Sequence, residues 1–578
     1  MRSVKRLSQA GLLALVWLST SLHAGLQPPQ AAVASAHPLA TQAGENILQA
    51  GGNAFDAAVA VAAMLAVAEP SGSGLGGGGF FLLHSAEDGR KHFLDARETA
   101  PAAIRAAMYL DEEGRPQREL LRRGPLAAGI PGLPAGLVQL AQEFGSMPLK
   151  QLLEPAIRVA QEGFEIDAKL ARTMAYREAD LASYAHSAAV FLDEQGQALA
   201  AGTTLKQPDL ARTLQKLATF GRAGFYSGSV ADEMLRSVRN AGGVWTAEDL
   251  RDYAVKMRRP LVLGFGDWQI VTAPPPSSGG LVLGEIFQML DLMGFTTVED
   301  IGLRRHMLIE AMRRAYFDRA RYMGDADYVP VPSRRLLARE HAQQWLESYS
   351  PRHATPSAEL SPEPIASVGM GMNTTHFSIL DGQGNRVSAT LSINFGLGAA
   401  FVAGRSGVLL NNEMDDFVIA PGVPNGYGLV GGEANLVEPG KRMLSSMTPT
   451  FLEGAERVAI LGTPGGSRII TMVLLGLLDL MEGRSASEVV AAPRFHHQYL
   501  PDVVQLEQGG FDDEAKELLQ LRGHPIKELS RQYGNMQVVV WDQDKAKVDA
   551  AADPRGVGRA SSFVVRPSIE QQALELIP

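Results

Sequence analysis

Cysteine is absent from the 578-residue chain. Its absence excludes disulfide-stabilised scaffolds, cysteine zinc sites, iron–sulfur clusters and thiol nucleophiles. Positive charge is also scarce, because 53 Lys and Arg residues stand against 63 Asp and Glu residues and leave a net charge of −10. A chain without a net positive field is a poor candidate for binding nucleic acid through its phosphates.

The remaining composition is that of a large globular protein. Apolar residues make up 46% of the chain and charged residues 20%, which is ordinary for folded domains. The 60 glycines and 33 prolines indicate many loops, although their share stays below that of low-complexity sequence. The length allows up to about four domain-sized units and is ample for burying a core.

Residues 1–24 have the pattern of an export signal. A basic start at Arg2, Lys5 and Arg6 precedes an apolar stretch over residues 11–22, and a small residue follows for cleavage. Because the stretch is too short to span a bilayer, a secretory signal peptide is favoured over the alternative of an N-terminal anchor. An exported protein without cysteine suits the bacterial periplasm, where we expect it to be located.

Helix and strand patterns alternate along the rest of the chain, without internal repeats, and they indicate the α/β class. Helix patterns cover residues 39–50, 54–68, 131–144, 155–163, 306–323 and 469–481. Strand patterns cover residues 80–84, 374–380, 387–394 and 457–461. Residues 351–371 are rich in Pro, Ser and Ala, and they are expected to form an exposed linker.

Three patterns that suggest a cofactor or a metal do not meet the requirements of such a site. The glycine loop of residues 74–79 has dinucleotide-binding spacing, but it follows a helix and precedes a strand, the reverse of the required order. His306 and Glu310 are one helical turn apart, and we interpret them as a solvated pair. His496-His497 lacks the spacing of metal ligands. We therefore expect neither a metal nor a cofactor.

The segment from Thr374 to Asn394 predicts a β-hairpin with one apolar and one polar face. If Leu380 pairs with Arg386, the register puts Thr374 opposite Ser392 and brings two hydroxyl groups together. The alternative is a half-exposed hairpin whose threonines reflect only β propensity.

Two further segments have an unusual composition. Residues 409–417 combine acids and amides after an apolar run, so they either receive an ammonium group or form a capped turn. Residues 462–468, Gly-Thr-Pro-Gly-Gly-Ser-Arg, join a strand to a helix that Ser467 is expected to cap. Backbone N–H groups at such a corner attract negative charge. Because no Lys follows the glycines, a P-loop is excluded, and an oxyanion hole is the remaining functional interpretation.

These segments together resemble the γ-glutamyltransferase (γ-glutamyltranspeptidase) family. The resemblance rests on long motifs in the family's order: Leu94 to Pro101, Asn373 to Ser378, Leu410 to Phe417, Lys441 to Met447, Thr463 to Arg468, Ala492 to Gln498 and Asp553 to Arg555. It implies an α/β N-terminal-nucleophile hydrolase, with an αββα sandwich formed jointly by two subunits of one precursor. It also implies self-cleavage between Asn373 and Thr374, giving a large subunit at 25–373 and a small catalytic subunit at 374–578.

The resemblance further implies the catalytic roles. Thr374 matches the nucleophile; a threonine hydroxyl needs a base, and the α-amine that cleavage would free on the same residue can serve as one. Ser392 matches a second hydroxyl that supports the nucleophile. Gly465 and Gly466 match the oxyanion hole.

The resemblance assigns the amino-acid end of the donor to a second group of residues. Three residues match the groups at its α-carboxylate, for which arginine offers a bidentate fork: Arg97, Ser445 and Ser446. Three others match the groups that receive its α-ammonium: Asn394, Glu413 and Asp416. Tyr427 matches the aromatic position of a lid over the site, the alternative for residues 421–427 being a surface loop.

The protein expected from this resemblance is a self-cleaving γ-glutamyltransferase with glutathione hydrolase activity. Its donors would be glutathione and other γ-glutamyl amides, and its acceptors would be amino acids, peptides or water. The expected subunits form a heterodimer, with no nucleic-acid partner and no membrane attachment after signal removal. Two alternatives remain: a glutaryl-type (cephalosporin) acylase of the same superfamily, whose substrates lack the α-ammonium, and a non-catalytic periplasmic homologue.

Overall fold

The structure, a computed structural model, describes residues 27–360 and 374–565. The predicted signal peptide, the predicted cleavage residue Asn373 and the linker residues 361–371 lie outside the described residues. Among the described residues, no helix combines the length and the apolar character needed to cross a membrane.

Most of the strands belong to two large sheets. Numbered along the chain, the strands are β1 (Ala31–Ser35), β2 (Gly78–His84), β3 (Lys91–Ala96), β4 (Phe164–Glu165), β5 (Thr204–Leu205), β6 (Lys256–Arg258), β7 (Leu261–Phe265), β8 (Trp268–Thr272), β9 (Thr375–Leu380), β10 (Arg386–Ser392), β11 (Thr450–Glu453), β12 (Arg457–Gly462), β13 (Phe495–His496), β14 (Val504–Leu506), β15 (Ile526–Glu528), β16 (Gln537–Asp542), β17 (Lys547–Ala552) and β18 (Arg559–Phe563). One sheet has the order β18-β1-β9-β10-β2-β3-β6, and the other has the order β17-β16-β12-β11-β8-β7. Strands from both sides of the predicted cleavage point therefore share each sheet.

Helices cover the outer faces of the two sheets. They are α1 (Pro38–Gln49), α2 (Ala54–Ala68), α3 (Arg118–Arg122), α4 (Leu133–Glu143), α5 (Leu149–Glu162), α6 (Ala168–Tyr176), α7 (Glu178–Ala182), α8 (Ala185–Phe191), α9 (Pro208–Phe220), α10 (Ala223–Tyr226), α11 (Gly228–Asn240), α12 (Ala247–Asp252), α13 (Gly279–Leu292), α14 (Ile301–Tyr322), α15 (Ser333–Leu336), α16 (Arg339–Leu346), α17 (Ser357–Leu360), α18 (Ile469–Met481), α19 (Ala486–Ala491) and α20 (Asp513–Leu521). Helices α1, α2 and α4 pack on the first sheet, and α13, α18 and α19 pack on the second. The layers are thus helix, sheet, sheet and helix.

Alternating side chains of the first sheet enter two different cores. Val33 of β1 and Phe81 of β2 lie in the core shared with α1 and α2. Their neighbours Ala34 and Phe80 lie in a second core, which fills the space between the two sheets and continues to helices α13 and α18. Both faces of the sheet are therefore buried, which explains the nearly continuous apolar sequence of β1 and β2.

The hairpin of β9 and β10 has the register that the sequence predicted, with Leu380 opposite Arg386. Its polar face is buried between the sheets, so the half-exposed alternative is wrong. The Ser378 hydroxyl donates to Gln537 O at 3.1 Å, and the Ser388 hydroxyl donates to Leu461 O at 3.1 Å. Both acceptors lie on strands of the second sheet, so this polar face joins the two sheets.

Three local predictions are wrong. Helix α5 begins at Leu149 and continues through Pro155, because a buried apolar stripe outweighs the missing N–H of one proline. Ser467 does not cap α18; its hydroxyl donates to Gln498 Oε1 at 2.6 Å. Ser357, in the predicted exposed linker, is buried, and its N–H donates to Asp502 Oδ2 at 2.7 Å.

His306 and Glu310 are also misinterpreted by the sequence pattern, since both side chains are buried rather than solvated. Glu310 Oε2 lies 2.6 Å from Arg314 Nη1, and His306 Nδ1 lies 2.7 Å from His524 Nε2. The pair is part of a buried polar network between α14 and the chain around His524.

Candidate active site

A small cavity lies where β9 begins. Ten of the residues that the sequence analysis selected line it: Arg97, Thr374, Ser392, Asn394, Glu413, Asp416, Tyr427, Ser445, Ser446 and Gly466. The remaining wall comes from Leu429, Met447, Ser467 and Ile469. Of the other selected residues, Gly465 precedes Gly466 in the chain, and Asn373 lies outside the described residues. Residues spread over 370 positions of sequence thus meet at one place.

Thr374 and Ser392 stand at the paired ends of β9 and β10. The ladder ends with Thr375 opposite Leu391, and the same register puts the next residues, Thr374 and Ser392, opposite each other. Both residues are about 96% buried. The Ser392 hydroxyl oxygen accepts a hydrogen bond from Asn394 N at 2.8 Å, which fixes its position beside the threonine.

The neighbouring threonine has a different environment. Thr375 points to the helical layer, where its hydroxyl donates to Glu69 Oε2 at 2.5 Å. Glu69 is in turn paired with Lys169 at 2.8 Å. Thr375 is therefore held by structural contacts, and the strand's alternation leaves Thr374 as the threonine on the cavity side.

Arg97, just after β3, is the cationic centre of the cavity and is 1% exposed. Its Nη2 lies 2.6 Å from Asp416 Oδ2, and its Nη1 lies 3.0 Å from Glu413 Oε2. Glu98 Oε2 is 3.7 Å from Nη1, and Nε donates to Met443 O at 3.3 Å. One guanidinium group therefore faces three carboxyl groups, of which those of Glu98 and Glu413 are buried and that of Asp416 is 14% exposed.

Three carboxyl groups around one cation shift one another's protonation. Burial, together with the charge of Asp416, raises the pKa of Glu413 to about 7, against the attraction of Arg97. Burial also raises the pKa of Asp416, and burial with the charge of Glu413 raises the pKa of Glu98 well above its usual range. Glu413 consequently titrates near neutral pH, and the cluster gains from any further cation that enters it.

Asn411 and Asn412 hold the acidic segment in place. The Asn411 amide oxygen accepts from Gly129 N and from Glu413 N, each at 3.0 Å. Asn412 O accepts from Asn394 Nδ2 at 3.0 Å. The pattern of residues 409–417 did not predict this supporting role, although both amides directly precede the site carboxylate Glu413 in the chain.

The glycine corner and Tyr427 form the opposite wall. Gly465 and Gly466 have φ values of 151° and 58°, which only glycine adopts readily. A Cβ atom on Gly466 would overlap the ring of Tyr427. The same ring stacks on Phe395 with 4.9 Å between centroids, and its hydroxyl donates to Asn394 O at 3.1 Å. Tyr427 therefore closes over the corner in direct contact with it.

The groups suited to a metal ion lie elsewhere. Within residues 27–360 and 374–565, two clusters combine histidine with carboxylates: His306, Glu310 and His524, and Glu285, Asp318 and His341. Neither cluster contributes a residue to the cavity. The Glu310 carboxylate already accepts a hydrogen bond from Arg314. Asp318 Oδ2 already accepts from His341 at 2.6 Å and from Trp345 at 2.7 Å.

The sequence matches the model of the γ-glutamyltranspeptidase family over residues 40–563. The chain belongs to the γ-glutamyltranspeptidase family. Its relatives include the glutathione hydrolase proenzyme of Pseudomonas sp. (strain A14), which is 40% identical over 519 residues, or 87% of this chain and 88% of the relative. The Escherichia coli (strain K12) protein of the same name is 39% identical over 536 residues, or 91% of each chain.

Among solved structures, the fold is similar to that of the cephalosporin acylase from Bacillus halodurans. The TM-score is 0.81 at 27% identity, over 93% of this chain and 96% of the acylase. The γ-glutamyltranspeptidase family and the α/β N-terminal-nucleophile hydrolase fold that the sequence predicted are thus both confirmed.

Proposed function

We propose that this protein is the exported precursor of a γ-glutamyltransferase and glutathione hydrolase. The proposal rests on one observation: Thr374 and Ser392 line the same cavity as Arg97 and its partners Glu413 and Asp416. Membership of the γ-glutamyltranspeptidase family supports it, as do relatives named glutathione hydrolase proenzymes. Cleavage would give a large chain of residues 25–373 and a small chain of residues 374–578, after loss of a signal peptide that directs the protein to the periplasm.

Maturation uses the same hydroxyl group as catalysis. The Thr374 Oγ1 attacks the carbonyl carbon of Asn373, and the C–N bond between the two residues breaks as an ester forms. Water hydrolyses the ester, which leaves a carboxylate on Asn373 and a free α-amine on Thr374. The burial of Thr374 in the same cavity as Ser392 supports this step, because burial restricts the motion of the side chain.

In the mature enzyme, Thr374 is both nucleophile and base. An α-amine with an ordinary pKa of about 7.7–8.0 accepts the hydroxyl proton near neutral pH. Oγ1 then attacks the donor's γ-carbonyl carbon, and the developing oxyanion is stabilised by the N–H groups of Gly465 and Gly466. The amide C–N bond breaks, the departing amine takes the proton, and a γ-glutamyl ester remains on Thr374.

The ester is resolved by water or by an amine. Water gives glutamate and completes hydrolysis, whereas the amino group of an amino acid or peptide gives a new γ-glutamyl amide. Both reactions regenerate the Thr374 hydroxyl and need no cofactor.

The donor's amino-acid end is recognised by opposite charges. Arg97, with the hydroxyls of Ser445 and Ser446, receives the α-carboxylate. Glu413 and Asp416 receive the α-ammonium, and they are joined by the amide oxygen of Asn394, whose Nδ2 is already bound to Asn412 O. Tyr427 covers the bound donor as a lid. This arrangement delivers the γ-carbonyl group to Thr374.

An acylase for glutaryl amides is the second candidate, because the similar solved structure is a cephalosporin acylase. A glutaryl group carries one carboxylate and no ammonium. Binding it through Arg97 would leave Asp416 and Glu413 buried without a cation, which is unfavourable. The acidic side of the cavity therefore favours γ-glutamyl donors.

An assay with p-nitroanilides tests the function. The purified wild-type protein is given γ-glutamyl p-nitroanilide and glutaryl p-nitroanilide, each with and without glycylglycine. We expect release of p-nitroaniline from the γ-glutamyl compound and faster release with glycylglycine, which marks transfer. Preference for the glutaryl compound would support the acylase, and no release from either compound would support a non-catalytic homologue.

A further inference from the structure

We propose that Arg319 is a positioning residue that makes the Ser445-Ser446 wall of the cavity selective for the donor's α-carboxylate. The inference rests on the proposed function, because it specifies how the donor's amino-acid end is recognised. Arg319 lies in the last turn of α14 and is 5% exposed.

Arg319 is a buried cation with no adjacent anion. Among the described residues, its guanidinium group forms no salt bridge, whereas that of Arg97 faces three carboxyl groups. The carboxylate whose charge acts on Arg319 is Asp416, which lines the cavity together with Ser446. A buried charge without a close partner is unfavourable, so the binding of an anion on this side of the cavity is favoured.

The hydrogen bond from Arg319 determines whether the Ser446 hydroxyl donates or accepts towards the cavity. Arg319 Nη2 donates to the Ser446 oxygen at 3.2 Å. Because a guanidinium group only donates, the Ser446 hydroxyl must direct its own proton elsewhere. The Ser445 oxygen likewise accepts from Met447 N at 3.1 Å. Both hydroxyls are therefore available to the cavity as donors, which suits a carboxylate, an acceptor with no proton of its own.

The same guanidinium group also holds the backbone of this wall. Arg319 Nε donates to the Ser278 oxygen at 3.0 Å. The Ser278 hydroxyl and N–H both donate to Ser445 O, each at 2.8 Å. One side chain thus fixes the Ser446 hydroxyl directly and the Ser445 carbonyl through Ser278.

The donor's α-carboxylate is consequently recognised by two arginines in different ways. Arg97 binds the carboxylate directly through its charged, forked guanidinium group. Arg319 acts indirectly, because it orients the serine hydroxyls so that they donate to the carboxylate, and it places a positive charge behind them. Without Arg319, the Ser446 hydroxyl can rotate and accept a hydrogen bond from a ligand. The cavity then no longer binds a carboxylate more tightly than a neutral group at this position.

The test compares two donors that differ only in the α-carboxylate: γ-glutamyl p-nitroanilide and 4-aminobutyryl p-nitroanilide, which keeps the amine. In Arg319→Met, we expect KM for the γ-glutamyl donor to rise by about 10- to 100-fold, the effect of losing a charge-assisted hydrogen bond. The kcat/KM for the 4-aminobutyryl donor should stay within about twofold of the wild type. Arg321→Met is the matched control, because Arg321 lies on the same helix and is exposed.

A double-mutant cycle adds a readout that a merely structural role would not produce. Ser446→Ala should raise KM for the γ-glutamyl donor in the wild type and change it little in Arg319→Met. Arg319→Lys, which keeps the charge and can donate to one serine, should restore part of the discrimination between the two donors.

Equal loss of kcat/KM on both donors would overturn the inference. If Arg319→Met does not mature into two chains, the ratio of kcat/KM for the γ-glutamyl donor to kcat/KM for the 4-aminobutyryl donor is measured in Arg319→Lys and Ser446→Ala. A ratio equal to that of the wild type in both variants would also overturn the inference. A wild-type protein that is inactive on the γ-glutamyl donor would instead contradict the proposed function.

Discussion

Arg97 and Asp416 are in direct contact, with Nη2 of the arginine 2.6 Å from Oδ2 of the aspartate. In the proposed function, these two residues bind the two charged groups on the donor's α-carbon, Arg97 the carboxylate and Asp416 the ammonium. A donor that brings both a carboxylate and an ammonium replaces this one buried ion pair by two. A donor with the carboxylate alone takes Arg97 from Asp416 and leaves a partly buried anion without a cation, which is unfavourable.

Asp416→Asn tests this exchange of partners, because it keeps the shape of the side chain and removes its charge. We expect kcat/KM for γ-glutamyl p-nitroanilide to fall by about 100-fold or more, since the donor's ammonium loses its carboxylate. The value for glutaryl p-nitroanilide should stay constant or rise. Glu433→Gln, at an exposed acid of the same region, is the control. Equal losses on both substrates would mean that Asp416 does not recognise the amine.

The pH dependence of donor capture reports the state of Glu413, whose pKa burial raises to about 7. Below that pH the carboxyl group is protonated and attracts an ammonium weakly, so kcat/KM should fall as the pH drops from 8 to about 6. Because kcat/KM reflects the free enzyme and the Thr374 α-amine must also be unprotonated, the acid limb of the wild type should combine two titrations, and Glu413→Gln should reduce it to the single titration of the α-amine.

Asp415 provides the control for that profile. Burial and the charge of Asp416 raise the pKa of Asp415 to about 7 as well, but its Oδ2 accepts from Gly426 N at 2.9 Å and it does not line the cavity. Asp415→Asn should therefore keep an acid limb made of two titrations, like that of the wild type. A single titration in Asp415→Asn, with two titrations retained in Glu413→Gln, would contradict the assignment.

Gly466→Ala tests the contact between the oxyanion corner and Tyr427. The added Cβ overlaps the tyrosine ring, so the corner or the ring must move, and we expect kcat to fall by about 100-fold, as for loss of one oxyanion donor. Gly483→Ala is the matched control, because Gly483 also has a positive φ, of 86°, but has open space around it. It should leave kcat unchanged, and an equal loss in the control would assign the effect to backbone strain.

The sequence predicted the hairpin well because a strand has a fixed period. Once the apolar faces of β9 and β10 are matched, the parity of the register is determined, and the observed pairing of Leu380 with Arg386 has that parity. Helix α18 was predicted with its observed bounds, since a glycine corner precedes its long apolar run. These elements depend on local chemistry.

What covers an element could not be predicted in the same way. The polar face of the hairpin resembles a solvent face in sequence, but a second sheet with carbonyl acceptors lies against it. His306 and Glu310 have the spacing of an exposed pair, yet arginines and a distant histidine bury them. Arg319 was missed for the same reason, because its importance comes from Ser278 and Ser446, which lie far away in the chain.

The nature of Thr374 is the central claim, and intact mass spectrometry of purified wild-type, Thr374→Ser and Thr374→Ala proteins tests it most directly. We predict that the wild type gives two chains, the smaller one beginning at Thr374, and that Thr374→Ser, which keeps a hydroxyl, also gives two chains. Thr374→Ala should give one uncut chain without activity on γ-glutamyl p-nitroanilide. Normal cleavage of Thr374→Ala, or a wild-type small chain that begins at another residue, would contradict the account.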